Sequence, residues 1–149
     1  MSSEDAAVLY VDGASFGNPG PSGIGFVLTQ GDKIVAEGSE DIGWGTNNQA
    51  EYRALLAGLR EAIERGIDSL LVRGDSQLLV RQVTGEYKVK DRKLKSLMIE
   101  IQELIRRFER VSFEHVRREF NERADELAKA GAESAKSRGV RPQQTEIFE

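Results

Sequence analysis

The sequence contains no cysteine and a single histidine among its 149 residues. The absence of cysteine excludes disulfide bonds and thiolate metal sites, and it leaves the redox compartment of the protein open. A metal ion bound to this chain would have to be held by oxygen ligands or by His115. That donor set favours hard cations such as Mg²⁺ over soft transition metals.

Long apolar runs are also absent, so the sequence predicts no transmembrane helix. The first residues, MSSEDAA, are acidic and lack the basic and apolar regions of a secretory signal. We therefore expect a cytoplasmic protein without a membrane partner. The chain length predicts one monomeric domain over 1–149, with its core at about 7–136. A polar, flexible tail is expected at 137–149, in which Ile147 and Phe148 could dock on the body.

Hydrophobic periodicity predicts three strands, a helix, a strand, two helices, a strand and a final helix. Gly31 and Asp32 predict a tight turn between the second and third strands. A hairpin followed by αβ units predicts a mixed sheet with helices packed on it. The predicted strands are 7–12, 23–30, 33–39, 69–73 and 111–116, and the predicted helices are 48–65, 77–83, 93–109 and 121–136.

Four acidic residues lie where an unpaired charge is unfavourable. Asp12 and Asp75 follow apolar strands, and the carboxyl ends of adjacent parallel strands meet where open α/β sheets bind ligands. Glu51 and Asp125 lie near the starts of two helices, at the border of the face that packs on the sheet. Converging carboxylates repel one another unless their pKa values rise or a divalent cation binds. Carboxylates holding one or two Mg²⁺ ions can cleave phosphodiesters.

Each acid also has a purely structural explanation. Asp75 could cap the helix that follows it, and Asp12 with Gly13 could form only a turn. Glu51 and Asp125 could complement the dipoles of their helices. These explanations do not account for the position of all four acids beside apolar faces.

Four segments carry a resemblance to a known family. They are YVDGAS with its Gly-rich continuation, TNNQAEYRALLAGL, RGDSQLLVRQVTGEYKV and HVRREFNERADELAKAGA. In this order and spacing, over about residues 7–133, they resemble the motifs of ribonuclease H type 1, in the archaeal and bacterial form that lacks a protruding basic handle. The resemblance implies an α/β fold with a five-stranded mixed sheet, ordered 3-2-1-4-5 and flanked by helices.

The resemblance also implies a reaction. Asp12, Glu51, Asp75 and Asp125 would be the metal ligands, with Asp12 bridging two Mg²⁺ ions for which Mn²⁺ could substitute. One ion would activate the attacking water and the other would stabilise the leaving 3′ oxygen. The implied reaction is endonucleolytic hydrolysis of the RNA strand of an RNA/DNA hybrid, giving 5′-phosphate and 3′-hydroxyl ends. Double-stranded RNA is a second candidate substrate, because some handle-lacking relatives have that broader reach.

Contacts to the hybrid follow from the same resemblance. Backbone groups and amide side chains can recognise the 2′-hydroxyl that distinguishes RNA from DNA. Thr46 would help to hold a DNA-strand phosphate, although Thr46 and Asn47 could also cap the helix that they precede. The expected minor-groove contacts are Gly13, Ala14, Ser15, Asn18, Asn47, Asn48 and Gln77.

Two further features have both an ordinary and a nucleic-acid interpretation. The glycines at 13, 17, 20, 23 and 25 could serve turns, or they could let nucleic acid approach the backbone closely. The segment 86–95, EYKVKDRKLK, holds five Lys or Arg residues against two acids in a chain of net charge −4. Its cations, Lys88, Lys90, Arg92, Lys93 and Lys95, could form a solvated helix start or could steer phosphates.

His115 and Arg118 are the remaining candidates near the expected site. His115 lies within the predicted strand FEHV, which favours a packing role over acid–base catalysis. In handle-bearing relatives a histidine in the following loop assists product release, and Arg118 is its nearest counterpart here. Because arginine does not act as a base at neutral pH, Arg118 would act electrostatically on phosphate or on the departing metal.

Two other function classes compete with a nuclease. A binding module without activity could share the fold, but such a module gains nothing from four clustered negative charges. A phosphate-binding or sugar-kinase-like protein could share an αβ sheet, but the sequence contains no GxxxxGK[ST] motif. The four acids therefore favour the nuclease.

Overall fold

The computed structural model describes residues 6–142, and its elements follow the predicted order. The strands are β1 (Ala7–Ser15), β2 (Gly20–Gln30), β3 (Lys33–Gly45), β4 (Ser69–Gly74) and β5 (Arg110–His115). The helices are α1 (Asn47–Glu64), α2 (Gln77–Val83), α3 (Arg92–Ile105) and α4 (Glu122–Ser137), and a short 3₁₀ turn covers Arg118–Phe120.

The strands form one mixed sheet in the order β3-β2-β1-β4-β5, which confirms the expected topology. β2 runs antiparallel to β1 and β3, whereas β4 is parallel to both β1 and β5. Val11 of β1 pairs with Gly74 at the end of β4, and this is the last pair of the parallel ladder between the two strands. Asp12 and Asp75 each follow this pair by one residue, so the parallel register brings the two acids to the same edge of the sheet.

The main core lies between the sheet and α1, because the apolar stripe of α1 faces alternate residues of β1. Leu9 and Leu59 are fully buried there, and Gly58 of α1 lies against the Leu9 side chain. α3 packs on α1, and Ile101 is its fully buried contribution to the core. α4 lies on the opposite face, where it contacts β1, β2 and β3.

The close packing of α4 gives two of the Gly-rich segment's residues a structural role. A Cβ on Gly23 would lie 2.1 Å from the amide nitrogen of Ala132, and one on Gly25 would lie 2.3 Å from the carbonyl oxygen of Ala124. Both glycines are buried within β2 beneath α4. The interpretation of this whole segment as a surface for nucleic acid is therefore wrong at these two positions, because the backbone of α4 occupies the space.

Several element ends differ from the predicted ones. β1, β2 and β3 all extend toward the turn at 16–19, since their pairing continues beyond the apolar runs that marked them. α3 ends at Ile105, yet Phe108 beyond it is still buried. α1 begins one residue earlier than predicted, which places Glu51 in its second turn.

The predicted tail begins later than expected. α4 reaches Ser137, and Arg138 then forms a two-pronged ion pair with Asp41 at 2.5 and 3.0 Å. The amide of Val140 donates to the carbonyl of Ala135 at 3.2 Å. Residues 137–140 are therefore held on the body, and the expected docking of Ile147 and Phe148 lies outside the described residues. Within 6–142, no helix combines the length and hydropathy needed to cross a bilayer.

Candidate metal centre and nucleic-acid interface

Three of the four predicted acids converge at the carboxyl ends of β1 and β4. One carboxylate oxygen from each of Asp12, Glu51 and Asp75 lies within 4.8 Å of the others. Asp12 is 4% exposed and Glu51 is 7% exposed. Asp12 and Asp75 come from the paired strand ends, and Glu51 comes from α1 above them. We call these three residues the carboxylate triad.

The amide of Gly13 holds two members of the triad together. It donates to Asp12 Oδ1 at 2.9 Å and to Glu51 Oε1 at 2.8 Å. This shared donor aims both carboxylates at the same point and places partial positive charge between them. The Gly13 N–H is therefore engaged within the site, a role for this residue that the sequence did not predict.

The pKa values of the triad reflect its burial and crowding. Burial raises the pKa of Asp12 well above its usual value, and the negative charges of Glu51 and Asp75 raise it further. Burial also raises the pKa of Glu51, against hydrogen bonds from Asp12 and the Gly13 amide that act to lower it. Asp12 and Glu51 thus hold a proton more tightly than they would in water, because no opposite charge lies within the triad.

Asp125 completes the set from the first turn of α4. Its carboxyl group contacts that of Asp12, although it lies outside the triad itself. Burial acts to raise the pKa of Asp125, but Lys129, at 2.9 Å from Asp125 Oδ2, outweighs that effect and the pKa is lowered. Asp125 therefore remains ionised more readily than Asp12 and Glu51.

The donor set fits hard divalent cations. Glu51 Oε2 and Asp75 Oδ2 are buried, and neither accepts a hydrogen bond from any residue between 6 and 142. Unpartnered buried carboxylate oxygens are costly unless a cation coordinates them. All the ligands are oxygens, which Mg²⁺ and Mn²⁺ accept and which soft metals disfavour.

The structure decides between several of the alternative roles. Ser76, not Asp75, caps α2, because its side chain accepts from the Leu79 amide at 3.1 Å. Thr46 does cap α1, and the Thr46 backbone amide donates to Gln49 Oε1 at 3.0 Å. The capping explanation is therefore wrong for Asp75 and confirmed for Thr46.

Hydrogen bonds join the candidate substrate contacts near the turn at 16–19. Asn18 Oδ1 accepts from the backbone N–H of Asn47 at 3.0 Å, which fixes the turn against the start of α1. The Ser15 hydroxyl donates to the carbonyl of Gly45 at 3.2 Å. Buried Ser22 donates to the same carbonyl and contacts Ser15 Oγ at 3.0 Å. The ends of β1, β2 and β3 thus form one polar cluster.

The other candidate contacts lie on the same side of the fold without joining this cluster. Ala14 is half-buried in β1, Asn48 is exposed in the first turn of α1, and Gln77 is exposed as the first residue of α2. Asn48 and Gln77 lie at two helix starts, three residues before Glu51 and two residues after Asp75 respectively.

A groove that the sequence did not predict lies next to the polar cluster. It has a volume of about 620 Å³ and runs between the end of β3, α1 and α3. No motif marks this groove, because its residues are far apart in sequence and only the packing of α3 on α1 brings them together. Its polar and aromatic lining includes Trp44, Thr46, Gln49, Arg53, Lys93 and Ser96.

Two further candidates, Arg118 and His115, lie in the loop between β5 and α4 and at the end of β5 respectively. Arg118 Nε lies 3.9 Å from Asp75 Oδ2, and the arginine side chain is 79% exposed. His115 was expected to pack, but it is exposed at the end of β5. The apolar alternation of the strand ends at Phe113, and the next position in the alternation, His115, faces solvent.

Asn121 is a buried residue of the site that the sequence analysis missed. Its side-chain Nδ2 donates to the carbonyl of Val11 at 2.8 Å, and its backbone carbonyl accepts from the Asp125 backbone amide at 3.0 Å. It therefore connects the residue preceding Asp12 to the helix that carries Asp125. The pairing of NERAD with a distant strand end has no local sequence signal.

Comparisons with known proteins agree with this geometry. Residues 10–131 match the family model described as "Reverse transcriptase-like". Ribonuclease HI of Halobacterium salinarum is 49% identical over 127 residues, which cover 85% of this chain and 64% of that protein. A bifunctional protein of Mycobacterium tuberculosis is 42% identical over 130 residues, covering 86% of this chain and 36% of that protein. The chain thus spans less than two thirds of the length of both relatives.

Solved structures show the same fold. RNase H1 of Halobacterium salinarum superposes with a TM-score of 0.84 at 47% identity, covering 87% of this chain and 99% of that chain. LC11-RNase H1, solved in complex with an RNA/DNA hybrid, superposes with a TM-score of 0.82 at 39% identity. That match covers 87% of this chain and 99% of the other.

Proposed function

Because the chain belongs to the ribonuclease H type 1 family, we propose that it hydrolyses the RNA strand of RNA/DNA hybrids. The products would carry 5′-phosphate and 3′-hydroxyl ends. The observation that carries the proposal is the carboxylate triad, in which two buried oxygens accept no hydrogen bond from any described residue. The hybrid in the LC11-RNase H1 complex supports the choice of substrate.

Asp12, Glu51, Asp75 and Asp125 would hold two Mg²⁺ ions, with Mn²⁺ as a substitute. Bound divalent cations supply activation of the attacking water and stabilisation of charge on the leaving oxygen. The chain's own residues preorganise the ligands: the Gly13 amide orients Asp12 and Glu51, and Asn121 ties the end of β1 to α4. One chain supplies all four acids, so the proposal requires no second subunit.

The polar cluster and its neighbours would read the hybrid. Amide and hydroxyl groups can both donate and accept hydrogen bonds, which suits recognition of a 2′-hydroxyl in the minor groove. We assign this role to Gly13, Ala14, Ser15, Asn18, Asn47, Asn48 and Gln77. The neighbouring groove, with Thr46, Arg53 and Lys93, would receive phosphates of the DNA strand.

Arg118 would act electrostatically at the edge of the triad. Its guanidinium lies beside Asp75 but remains largely exposed, so it can turn toward a phosphate that enters the site. Since arginine stays protonated at neutral pH, it would neither donate nor accept the reacting proton.

The substrate proposal is tested with a hybrid labelled on its RNA strand. We expect cleavage in Mg²⁺ and none in EDTA, with products that a 5′-phosphate-dependent exonuclease degrades. Duplex DNA should remain intact under both conditions. Intact RNA in the presence of Mg²⁺ would overturn the proposal, and cleavage of duplex RNA in parallel would extend the substrate range.

Arg118→Ala is expected to lower kcat by about tenfold, the scale of one exposed electrostatic contact of about 1.4 kcal/mol. The Mg²⁺ concentration required for half-maximal rate should change little, because the metal ligands are untouched. Arg117→Ala is the matched control, since Arg117 is 81% exposed and pairs with Glu119 at 3.4 Å. Equal rates for Arg118→Ala and the unmodified protein would contradict the assigned role.

A further inference from the structure

The segment between α2 and α3 carries cations that its own structure does not explain. Lys88, Lys90, Arg92 and Lys95 are exposed, and none of the four forms an ion pair with any described residue. Arg92 and Lys95 also lie at the start of α3, where the helix dipole disfavours positive charge. An anionic partner would compensate both the unpaired positive charges and their unfavourable position at the helix start. We call residues 84–95 the basic segment.

The basic segment is connected to the core by two consecutive hydrogen bonds, one partly buried and one exposed. Gln82 of α2 donates from Nε2 to the carbonyl of Lys88 at 3.2 Å. Its Oε1 accepts from the hydroxyl of Tyr52, which is 1% exposed on α1. Tyr52 directly follows Glu51, so the chain of contacts begins one residue from the carboxylate triad.

The hydroxyl of Tyr52 is not needed for packing of the core. Leucine or phenylalanine would fill the core at this position without burying a polar group, and a buried hydroxyl needs a partner to avoid a desolvation cost. The Tyr52 hydroxyl donates to Gln82 Oε1, and Gln82 Nε2 in turn donates to the backbone carbonyl of Lys88.

We propose that Tyr52 and Gln82 are positioning residues that hold the basic segment in a fixed place beside the active site, where it binds phosphates of the hybrid. This inference rests on the proposed function. In a chain without a protruding handle, the hydrogen bonds from Tyr52 to Gln82 and from Gln82 to Lys88 keep the cations in position without additional helices. The relevant ligand chemistry is the phosphodiester backbone, and the contact carries no base specificity.

The test is Tyr52→Phe, which removes one oxygen atom and leaves the core volume unchanged. We expect the KM for a hybrid to rise about three- to tenfold, the scale of one lost hydrogen bond, with kcat and Mg²⁺ dependence unchanged. The slope of log KM against the logarithm of the salt concentration should decrease by about one, the contribution of a single phosphate contact. Gln82→Met, which removes both hydrogen bonds, should reproduce the effect.

Tyr10→Phe is the matched control. Its hydroxyl accepts from Arg73 at 3.0 Å on the other face of the sheet, so the same atom is removed from a comparable hydrogen bond. The KM of this variant should stay at the wild-type value.

A double-mutant cycle separates positioning from general stability. In a Lys88→Ala/Lys90→Ala background the cations are gone, so Tyr52→Phe should no longer change the KM. A persistent change in that background, or an unchanged KM and salt dependence in the single variant, would overturn the proposal. Absence of hybrid cleavage by the wild type would instead overturn the proposed function. Fluorescence anisotropy of a labelled hybrid would then still test whether Tyr52→Phe weakens binding.

Discussion

Asp12→Asn is expected to lower hybrid cleavage by about 10³-fold or more while the fold remains intact. Asp12 lies at the centre of the site, because it contacts Glu51 and Asp125 and lies within 4.8 Å of the Asp75 carboxylate. Metal-ion catalysis is worth several kcal/mol, and each 1.4 kcal/mol or so is a factor of ten in rate. Single-turnover cleavage at saturating Mg²⁺ measures the effect, with circular dichroism as the check on folding. A variant that cuts at the wild-type rate would show that Asp12 holds no catalytic metal.

The same substitution is expected to stabilise the metal-free protein by about 1–2 kcal/mol near pH 8, the scale of single stabilising substitutions. The folded-state pKa of Asp12 is raised above its ordinary value of 3.8, so the folded state loses stability as the pH rises through that raised pKa. Asparagine has no charge to bury. The gain in Tm should therefore shrink as the pH falls toward 3.8, and it should also shrink when Mg²⁺ stabilises the wild type.

Asp41→Asn is expected to change the stability of the fold in the opposite direction. The hydrogen bond from Arg138 lowers the pKa of Asp41, so its ionised form stabilises the fold at neutral pH. We expect this variant to lose a little stability above the unfolded pKa and to cleave hybrids at the wild-type rate. A gain in Tm for both variants would indicate that a general charge effect, not crowding of the triad, explains the result for Asp12.

The convergence of the acids could be predicted because each one is tied to a local pattern. Asp12 and Asp75 end apolar runs, and the parallel pairing of those runs needs only the αβ order of elements. Glu51 lies at the edge of a clear helical stripe. Local periodicity thus determines where each carboxylate lies on its own element, and the strand order brings the elements together.

Features that depend on contacts between distant segments could not be predicted. Asn121 reaches the carbonyl of Val11, 110 residues earlier in the chain. The groove beside Thr46 exists only because α3 packs on α1. His115 follows the alternation of its strand, but whether anything covers that end of the sheet depends on helices placed elsewhere. Gly23 and Gly25 lie within a predicted strand, but the sequence does not show which helix will lie over them.

Gly23→Ala is expected to destabilise the fold by about 3 kcal/mol, or roughly 6–12 °C in Tm for a domain of this size. The added Cβ would lie 2.1 Å from the Ala132 nitrogen and 2.4 Å from the Gly131 carbonyl carbon, so the backbone of α4 would have to move. That movement would also displace Asp125, and hybrid cleavage should fall with stability. Thermal unfolding followed by circular dichroism measures the change.

Gly74→Ala is the control that separates lost space from the loss of a glycine in a strand. Its Cβ would meet Val11 Cγ2 at 3.4 Å, an ordinary contact, and Gly74 has no positive φ that a side chain would strain. We expect the free energy of unfolding to change by less than about 1 kcal/mol, because alanine also restricts the unfolded chain. Equal losses in the two variants would mean that strand glycines are generally required here. A large loss of stability confined to Gly23→Ala would mean that the close contact between β2 and α4 is what excludes a side chain at this position.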